Sequence, residues 1–228
     1  ILSSTEKSQA RSTFRLESGA YGIPKSRQAP STPSAAREVL DLSCQIGDDA
    51  YFVRPNALGV ADGVGGWSTR PGGNSALFSR RLMHHCSEEL SRLYPPSASL
   101  QPPPPPAYDR TLEVCHSDGT LGSSTALIAL LLSPSSPTSS SSVSHSQQPR
   151  LRIAHVGDCL IGLIRDNELV FRSSEQQHRF NYPYQLGPQS QTTPQKDAFR
   201  IDLPVQEGDI IVLATDGLGD NLWDEDLL

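Results

Sequence analysis

The sequence predicts an α+β fold in which antiparallel sheets are flanked by helices. Three observations carry this. Short apolar runs bounded by Gly, Pro, Asn and Asp dominate the chain, which is the pattern of strands. Several neighbouring runs are joined by tight turns, as antiparallel strands allow. Only one long stretch has helical periodicity.

The elements follow in order. Residues 1 to about 40 carry no periodic pattern and read as mostly irregular. Residues 49–53 and 57–61 are two strands, and Arg54-Pro55-Asn56 between them is hairpin-turn chemistry. A helix comes next, with Asn74 as its N-cap. Phe78, Leu82, Cys86, Leu90 and Leu93 recur at spacings of three and four, and Pro95-Pro96 ends the run. Residues 95–107 include Pro102 to Pro106 and read as a polyproline II spacer or as a ligand for an SH3 or WW module. Gly122-Ser123-Ser124 leads into an apolar strand over 125–132. The Ser-rich insert at 133–149 is followed at once by another strand, 151–156, so it reads as an expanded hairpin loop. A strand over 159–165 turns at Asp166-Asn167 into 169–171. Residues 209–215 form the last clear strand, and a helix is expected to begin near Leu228.

Composition narrows the function. With 228 residues there is room for one large domain or two small ones. Hydrophobic content is 36%, as expected for an ordinary core diluted by Pro- and Ser-rich inserts. The chain opens on Ile1 and has a single Met, Met83, so a fragment or a processed N-terminus is expected. Residues 1–37 hold six basic residues and two acids, which suits either a mitochondrial presequence remnant or a plain tail. After Arg37 there are 13 basic residues against 23 acids. Such an acidic body does not suit nucleic acid, but it does suit a collector of divalent cations. The four cysteines show no C-x-x-C spacing, so a reducing compartment is the default. The longest apolar run, 126–132, is far too short to span a membrane.

The chemistry lies in acids at strand ends. Asp48-Asp49 opens the first strand and Asp62-Gly63 closes the second. Gly157-Asp158 closes the strand over 151–156. Asp216-Gly217, with Asp220 four residues on, closes the last. One Asp-Gly is an ordinary turn. Four such acids abutting apolar strands are different, because gathered carboxylates repel one another and resist desolvation. A hard dication removes both penalties, and the Gly63 carbonyl could add a further oxygen ligand. No dinucleotide fingerprint, phosphate loop, zinc helix or nucleophile elbow is present. His84 and His85 read as surface or structural, and His155 as packed. Gln177, His178 and Asn181 form a polar tract that either fixes a sheet edge or meets a substrate or partner.

In this order, GDDAYF, GVADGVGGW, GSSTALIAL, RIAHVGDC and VLATDGLGDN resemble motifs of the metal-dependent protein phosphatases of the protein phosphatase 2C (PPM) family. Val64 after Asp-Gly and SSEQQHRFNYPYQLG at 173–187 are similar to a subfamily with many mitochondrial members. The resemblance runs from about Tyr21 to the end, apart from the two inserts. It implies a four-layer α/β/β/α sandwich, incomplete at the C-terminus, with a phosphatase domain over 41–228 and two Mn²⁺ or Mg²⁺ ions at one end. By likeness, Asp62 bridges the ions, Gly63 offers its carbonyl, Asp216 holds the first metal, and Asp48 and Asp49 are the acidic pair. Asp158, with Asp216 and Asp220, matches positions that hold a third ion in some members. The resemblance further implies that a metal-bridging hydroxide attacks phosphorus in line, with no side chain as nucleophile. The expected activity is hydrolysis of phosphoserine and phosphothreonine in proteins, and a mitochondrial or cytoplasmic location is expected with it. Three departures stand against the pattern. Val64 replaces a His proposed as general acid. The stretch Leu42-Ser43-Cys44-Gln45-Ile46, shortly before the acidic pair, holds no Arg to grip phosphate, which leaves the phosphate clamp unassigned. A further metal Asp, which the family takes from an Asp-Asn motif near its C-terminus, has no counterpart in the chain. They leave an alternative: a catalytically impaired fragment or pseudophosphatase that binds a phosphoprotein. The Pro- and Ser-rich inserts could also serve as docking segments.

Overall fold

The computed structural model describes residues 14–25, 38–93, 106–133 and 148–228. In chain order the first strands are β1 (Cys44–Ile46), β2 (Asp49–Arg54) and β3 (Ala57–Ala61). Helices α1 (Ser75–Leu93) and α2 (Ala107–Asp118) follow. Then come β4 (Ala126–Leu132), β5 (Arg150–Val156), β6 (Leu160–Arg165), β7 (Glu168–Arg172), β8 (Gln177–Arg179) and β9 (Tyr182–Pro183). The chain continues through α3 (Pro194–Asp197), β10 (Phe199–Pro204), β11 (Ile210–Ala214) and α4 (Asp216–Gly219). One sheet has the order β1-β2-β3-β4-β5-β10, a second β11-β6-β7, and β8 pairs with β9 alone. Every pairing is antiparallel.

β4 shows why the sheets stack. It is apolar at all seven positions, and both of its faces are covered. Alternate side chains point to opposite faces of a strand. Ala126 and Leu130 therefore join Phe52, Phe78, Leu82 and Met83 in a core between the large sheet and the helices. Leu127, Ala129 and Leu131 join Ile153, Ile161 and Leu163 in a second core between the two sheets. Among the described residues the layering is thus helices, sheet, sheet. It is the α+β class expected, with antiparallel sheets flanked by helices.

Most local expectations hold. Asn74 caps α1 by accepting a hydrogen bond from the Leu77 N–H at 2.9 Å. Asp166 and Asn167 both take positive φ, 51° and 62°, as a two-residue hairpin turn requires. His85 is buried and shares a 2.9 Å hydrogen bond with the Thr111 hydroxyl, while His155 is packed inside β5.

The structure adds elements that the sequence pattern hides. Pro106 is the N-cap residue of α2, so the end of the Pro-rich stretch starts a helix rather than a spacer. α2 buries only Tyr108, Thr111, Cys115 and its first residue, Ala107, a stripe too short and too polar to stand out. Its anchor is Arg81 of α1, which is 4% exposed. The Arg81 guanidinium meets Glu38, Asp118, the Thr120 hydroxyl and Cys115. β1, β8 and β9 are also additions, each only two or three residues long, and β10 is a fourth, although its residues alternate apolar and polar as a strand's do. The chain after Trp223 makes a 3-10 turn, Asp224–Leu227, where a helix was expected. Of the Pro-rich stretch, 95–105 lies outside the described residues, as does 134–147 of the Ser-rich insert.

Candidate metal centre and cleft

The strand registers bring the acids to one end of the sandwich. β2 begins where β3 ends, because Ala50 pairs with Ala61. β5 ends opposite the start of β4, with Val156 facing Ala126. β11 ends at Ala214, opposite Leu160 at the start of β6. Asp48 precedes β2 and Asp49 opens it. Asp62 and Gly63 follow β3, Asp158 follows β5, and Asp216 lies just past β11.

Backbone hydrogen bonds fix these positions. The Asp62 N–H donates to the Thr125 hydroxyl at 3.0 Å. The Asp62 carbonyl accepts from the Thr125 N–H at 3.0 Å and from the Ser124 hydroxyl at 2.8 Å. The Asp49 carboxylate accepts from the Thr215 hydroxyl at 3.0 Å, and the nearby Gly63 N–H favours its charged form. Since Thr215 precedes Asp216, one side-chain bond couples the acids of the two sheets. The Asp216 carboxyl lies close enough to that of Asp62 to raise its pKa. A Cβ on Gly63 would lie 2.1 Å from the Asp48 carbonyl oxygen, so glycine is what lets β2 and the end of β3 approach this closely.

The electrostatics match the crowding. Burial, then Asp49 and Asp216, push the Asp62 carboxyl up to about 9. Burial also raises Asp49. Asp158 is 8% exposed, and burial followed by Asp216 pushes it up to about 6, with a smaller contribution from Asp220. One cation answers these charges. Lys25 comes from the described part of the N-terminal segment, and its ammonium is held above its ordinary value by Asp216, then Asp62, Asp49 and Asp48, against partial burial.

These observations decide whether a dication fits. The donors are all oxygen, the choice of Mg²⁺ and Mn²⁺. Without added positive charge, Asp62 must keep its proton well above neutral pH. Among the described residues no three His, Cys, Asp or Glu side chains form a metal-holding group. What is in place is the Asp62–Asp216 pair with Asp49 beside it. In donor type and charge, that pair fits a hard dication. The Asp48 side chain lies at the exposed rim, while the Asp48 carbonyl accepts from the Ser79 hydroxyl at 2.6 Å. Asp220 is exposed at the end of α4.

A cleft of about 550 Å³ opens over these acids. Lys25, Asp62, Gly63, Asp158 and Asp216 line it, together with Val64, Trp67, Arg70, Asn181, Tyr182 and Gln185. The polar tract divides here. Gln176 ties the β8–β9 ribbon to the Gly157 turn, accepting from the Gly157 N–H at 3.0 Å and donating its own N–H to the Gly157 carbonyl at 2.7 Å. Gln177 turns aside to Glu175 at 2.7 Å. His178 stacks on Tyr184, 4.2 Å between ring centres, beside a smaller hollow of about 140 Å³. Asn181, at φ 51°, lines the main cleft. Sequence reasoning missed Lys25, Arg70, Thr125 and Thr215. Thr215 had a usable signal in the Asp216 that follows it, whereas Thr125 has no acid near it in sequence and meets Asp62 only through the fold. Lys25 and Arg70 had none, because nothing local tells a cleft cation from a solvated one.

Comparison with known proteins agrees with this architecture. No family model matches the chain. The Drosophila virilis protein named "Protein phosphatase PTC7 homolog fig" is 33% identical over 243 residues, covering 97% of this chain and 67% of that protein. The chain spans about half to two thirds of the length of several curated plant relatives named as protein phosphatases 2C. The crystal structure of the photosystem II phosphatase PBCP superposes with a TM-score of 0.59 at 32% identity, over 79% of this chain and 64% of that one. The catalytic domain of the serine/threonine phosphatase PstP, in complex with two manganese ions, has the same fold at 16% identity. Its TM-score is 0.54, over 81% of this chain and 80% of that one. With a relative matched at this identity across nearly the whole chain, and with acids gathered from four strand ends beneath one cleft, the chain belongs to the protein phosphatase 2C family.

Proposed function

We propose that the chain hydrolyses phosphoserine and phosphothreonine in proteins with the help of Mg²⁺ or Mn²⁺. The observation that carries this is the convergence of Asp49, Asp62 and Asp216 beneath a cleft that also holds Lys25. Asp62, the Gly63 carbonyl and Asp216 would hold the ions, with Asp48 and Asp49 completing the set directly or through water. By likeness to the family, Asp158 and Asp220, with Asp216, are our candidates for holding a third ion. Dications held there would neutralise phosphoryl charge and make water a stronger acid. Lys25 is our candidate for the missing phosphate grip. Once dications neutralise the acids, its ammonium is free to meet phosphate oxygens. Thr125 and Thr215 hold Asp62 and Asp49 in place, which preserves the geometry that in-line attack needs. Val64 lines the cleft and has no proton to give, so the leaving hydroxyl takes its proton from water. Asn181 and Tyr182 would contact the substrate chain.

Residues 41–228 make up the phosphatase domain in this reading, and the preceding segment delivers Lys25 to it. The subfamily likeness supports a mitochondrial location, with the cytoplasm as the alternative. Among the described residues no helix is long and apolar enough to cross a membrane. Cell fractionation tests the placement, and enrichment in the cytoplasm would overturn it.

The function is tested by Mn²⁺-dependent phosphate release from a phosphothreonine peptide. Asp62→Asn should abolish release while leaving the fold intact. Activity that survives both this change and a chelator would refute the proposal. Val64 also favours a second reading, phosphoprotein binding without turnover. Phosphopeptide binding with no release at saturating Mn²⁺ would support that one instead.

A further inference from the structure

Two basic residues line the cleft among the described residues, and they stand in different situations. Lys25 is engaged by four acids. The Arg70 guanidinium pairs with no carboxylate among the described residues, although Asp62, Asp158 and Asp216 line the same cleft. It rests instead on the ring of Trp67, with Cζ 4.8 Å from the ring centre.

The ring under it is held in place. The Trp67 indole N–H donates to the Ser123 hydroxyl at 2.7 Å, and that hydroxyl donates to the Gln185 side-chain oxygen at 2.8 Å. The loop is equally fixed. The Arg70 N–H donates to the Trp67 carbonyl and the Arg70 carbonyl accepts from the Gly73 N–H, both at 2.9 Å. A Cβ on Gly73 would lie 1.9 Å from the Trp67 carbonyl oxygen, so the chain folds back more tightly than a side chain there would allow. Arg70 is thus a pre-positioned cation, without a carboxylate partner among the described residues, on the wall of a cleft whose other cation, Lys25, is engaged by acids. Its planar fork matches a carboxylate. The chain carries a net charge of −6, so an acidic segment gains most where a cation stands without a carboxylate partner.

We propose that Arg70 is a specificity-determining residue, selecting phosphoserine or phosphothreonine segments that carry Asp or Glu next to the phosphorylated residue. This rests on the phosphatase reading above.

The test measures binding, so it does not depend on turnover. Two fluorescent peptides carry a non-hydrolysable phosphonate in place of the phosphothreonine phosphate, one flanked on both sides by Glu and the other by Gln. Fluorescence anisotropy gives their dissociation constants for the 228-residue chain in Mn²⁺ buffer. The Glu peptide should bind about threefold more tightly, as an ion pair with the exposed Arg70 allows. Arg70→Ala should remove that ratio and Arg70→Glu should invert it. Equal affinities in the parent chain, or an unchanged ratio in Arg70→Ala, would overturn the inference while leaving the phosphatase reading in place. If neither peptide's binding depends on its phosphonate, the phosphatase reading fails and this inference fails with it.

Discussion

Gly63→Ala tests the geometry of the metal centre directly. The new Cβ would lie 2.1 Å from the Asp48 carbonyl oxygen, 2.9 Å from its carbonyl carbon and 3.1 Å from the Ser75 carbonyl oxygen. An ordinary carbon–oxygen contact is at least about 3 Å, so the turn bearing Asp48 and Asp49 must move by about 1 Å. That turn is pinned by the bond from Ser79 to the Asp48 carbonyl and by the Asp49–Thr215 bond. The displacement breaks the Gly63 N–H contact to Asp49 and separates that carboxylate from Asp62. Overpacking of this kind costs about 1–3 kcal/mol. A 1 Å error among reacting groups costs about 100-fold in rate. Gly66→Ala is the matched control, because a Cβ there meets nothing within 4 Å. It should leave stability unchanged or raise it by up to about 1 kcal/mol. Urea unfolding and Mn²⁺-dependent phosphate release are the two assays. If Gly63→Ala matched the parent chain in both midpoint and rate, the close approach at this position would not matter and the reasoning would be refuted.

Two further predictions concern the body of the fold. Arg81→Met leaves the part-exposed Glu38 and Asp118 and the buried Thr120 without their common partner, so urea unfolding should show a loss of about 1–3 kcal/mol; a loss under about 0.5 kcal/mol would show that the network is dispensable. His155 is 1% exposed, neither ring nitrogen has a hydrogen-bond partner among the described residues, and burial pushes it down to about 4 from 6.5. Its unfolded form therefore binds a proton first, so folding stability is lost as pH falls from 6.5 toward 4, by about 3 kcal/mol from this group. His155→Phe should flatten that limb of the pH–stability curve, and an unchanged slope would count against the buried neutral imidazole.

The sequence by itself determined the class, the hairpins and the acids. Asp-Gly at the ends of the 57–61 and 209–215 runs, and Gly157-Asp158 after a third, are local patterns: a strand, a turn, and a carboxylate that a turn alone does not explain. The Asn74 cap and the Asp166-Asn167 turn were legible for the same reason, since each needs only neighbouring residues. The short or mixed elements were not legible. β1 has three residues and β9 only two, and the short stripe of Tyr108, Leu112 and Cys115 on α2 is supplemented by Arg81; β10 is the exception, because Phe199, Ile201 and Leu203 alternate with Arg200 and Asp202 and give a readable strand signal. Tertiary structure alone decided which charges meet. Lys25 lies 191 residues before Asp216 in the chain, and only folding brings its ammonium under that carboxylate's influence. Arg70 and Lys25 look alike as letters. One is drawn to four acids and the other is held on an indole ring, because the field at a side chain comes from whatever the fold packs around it.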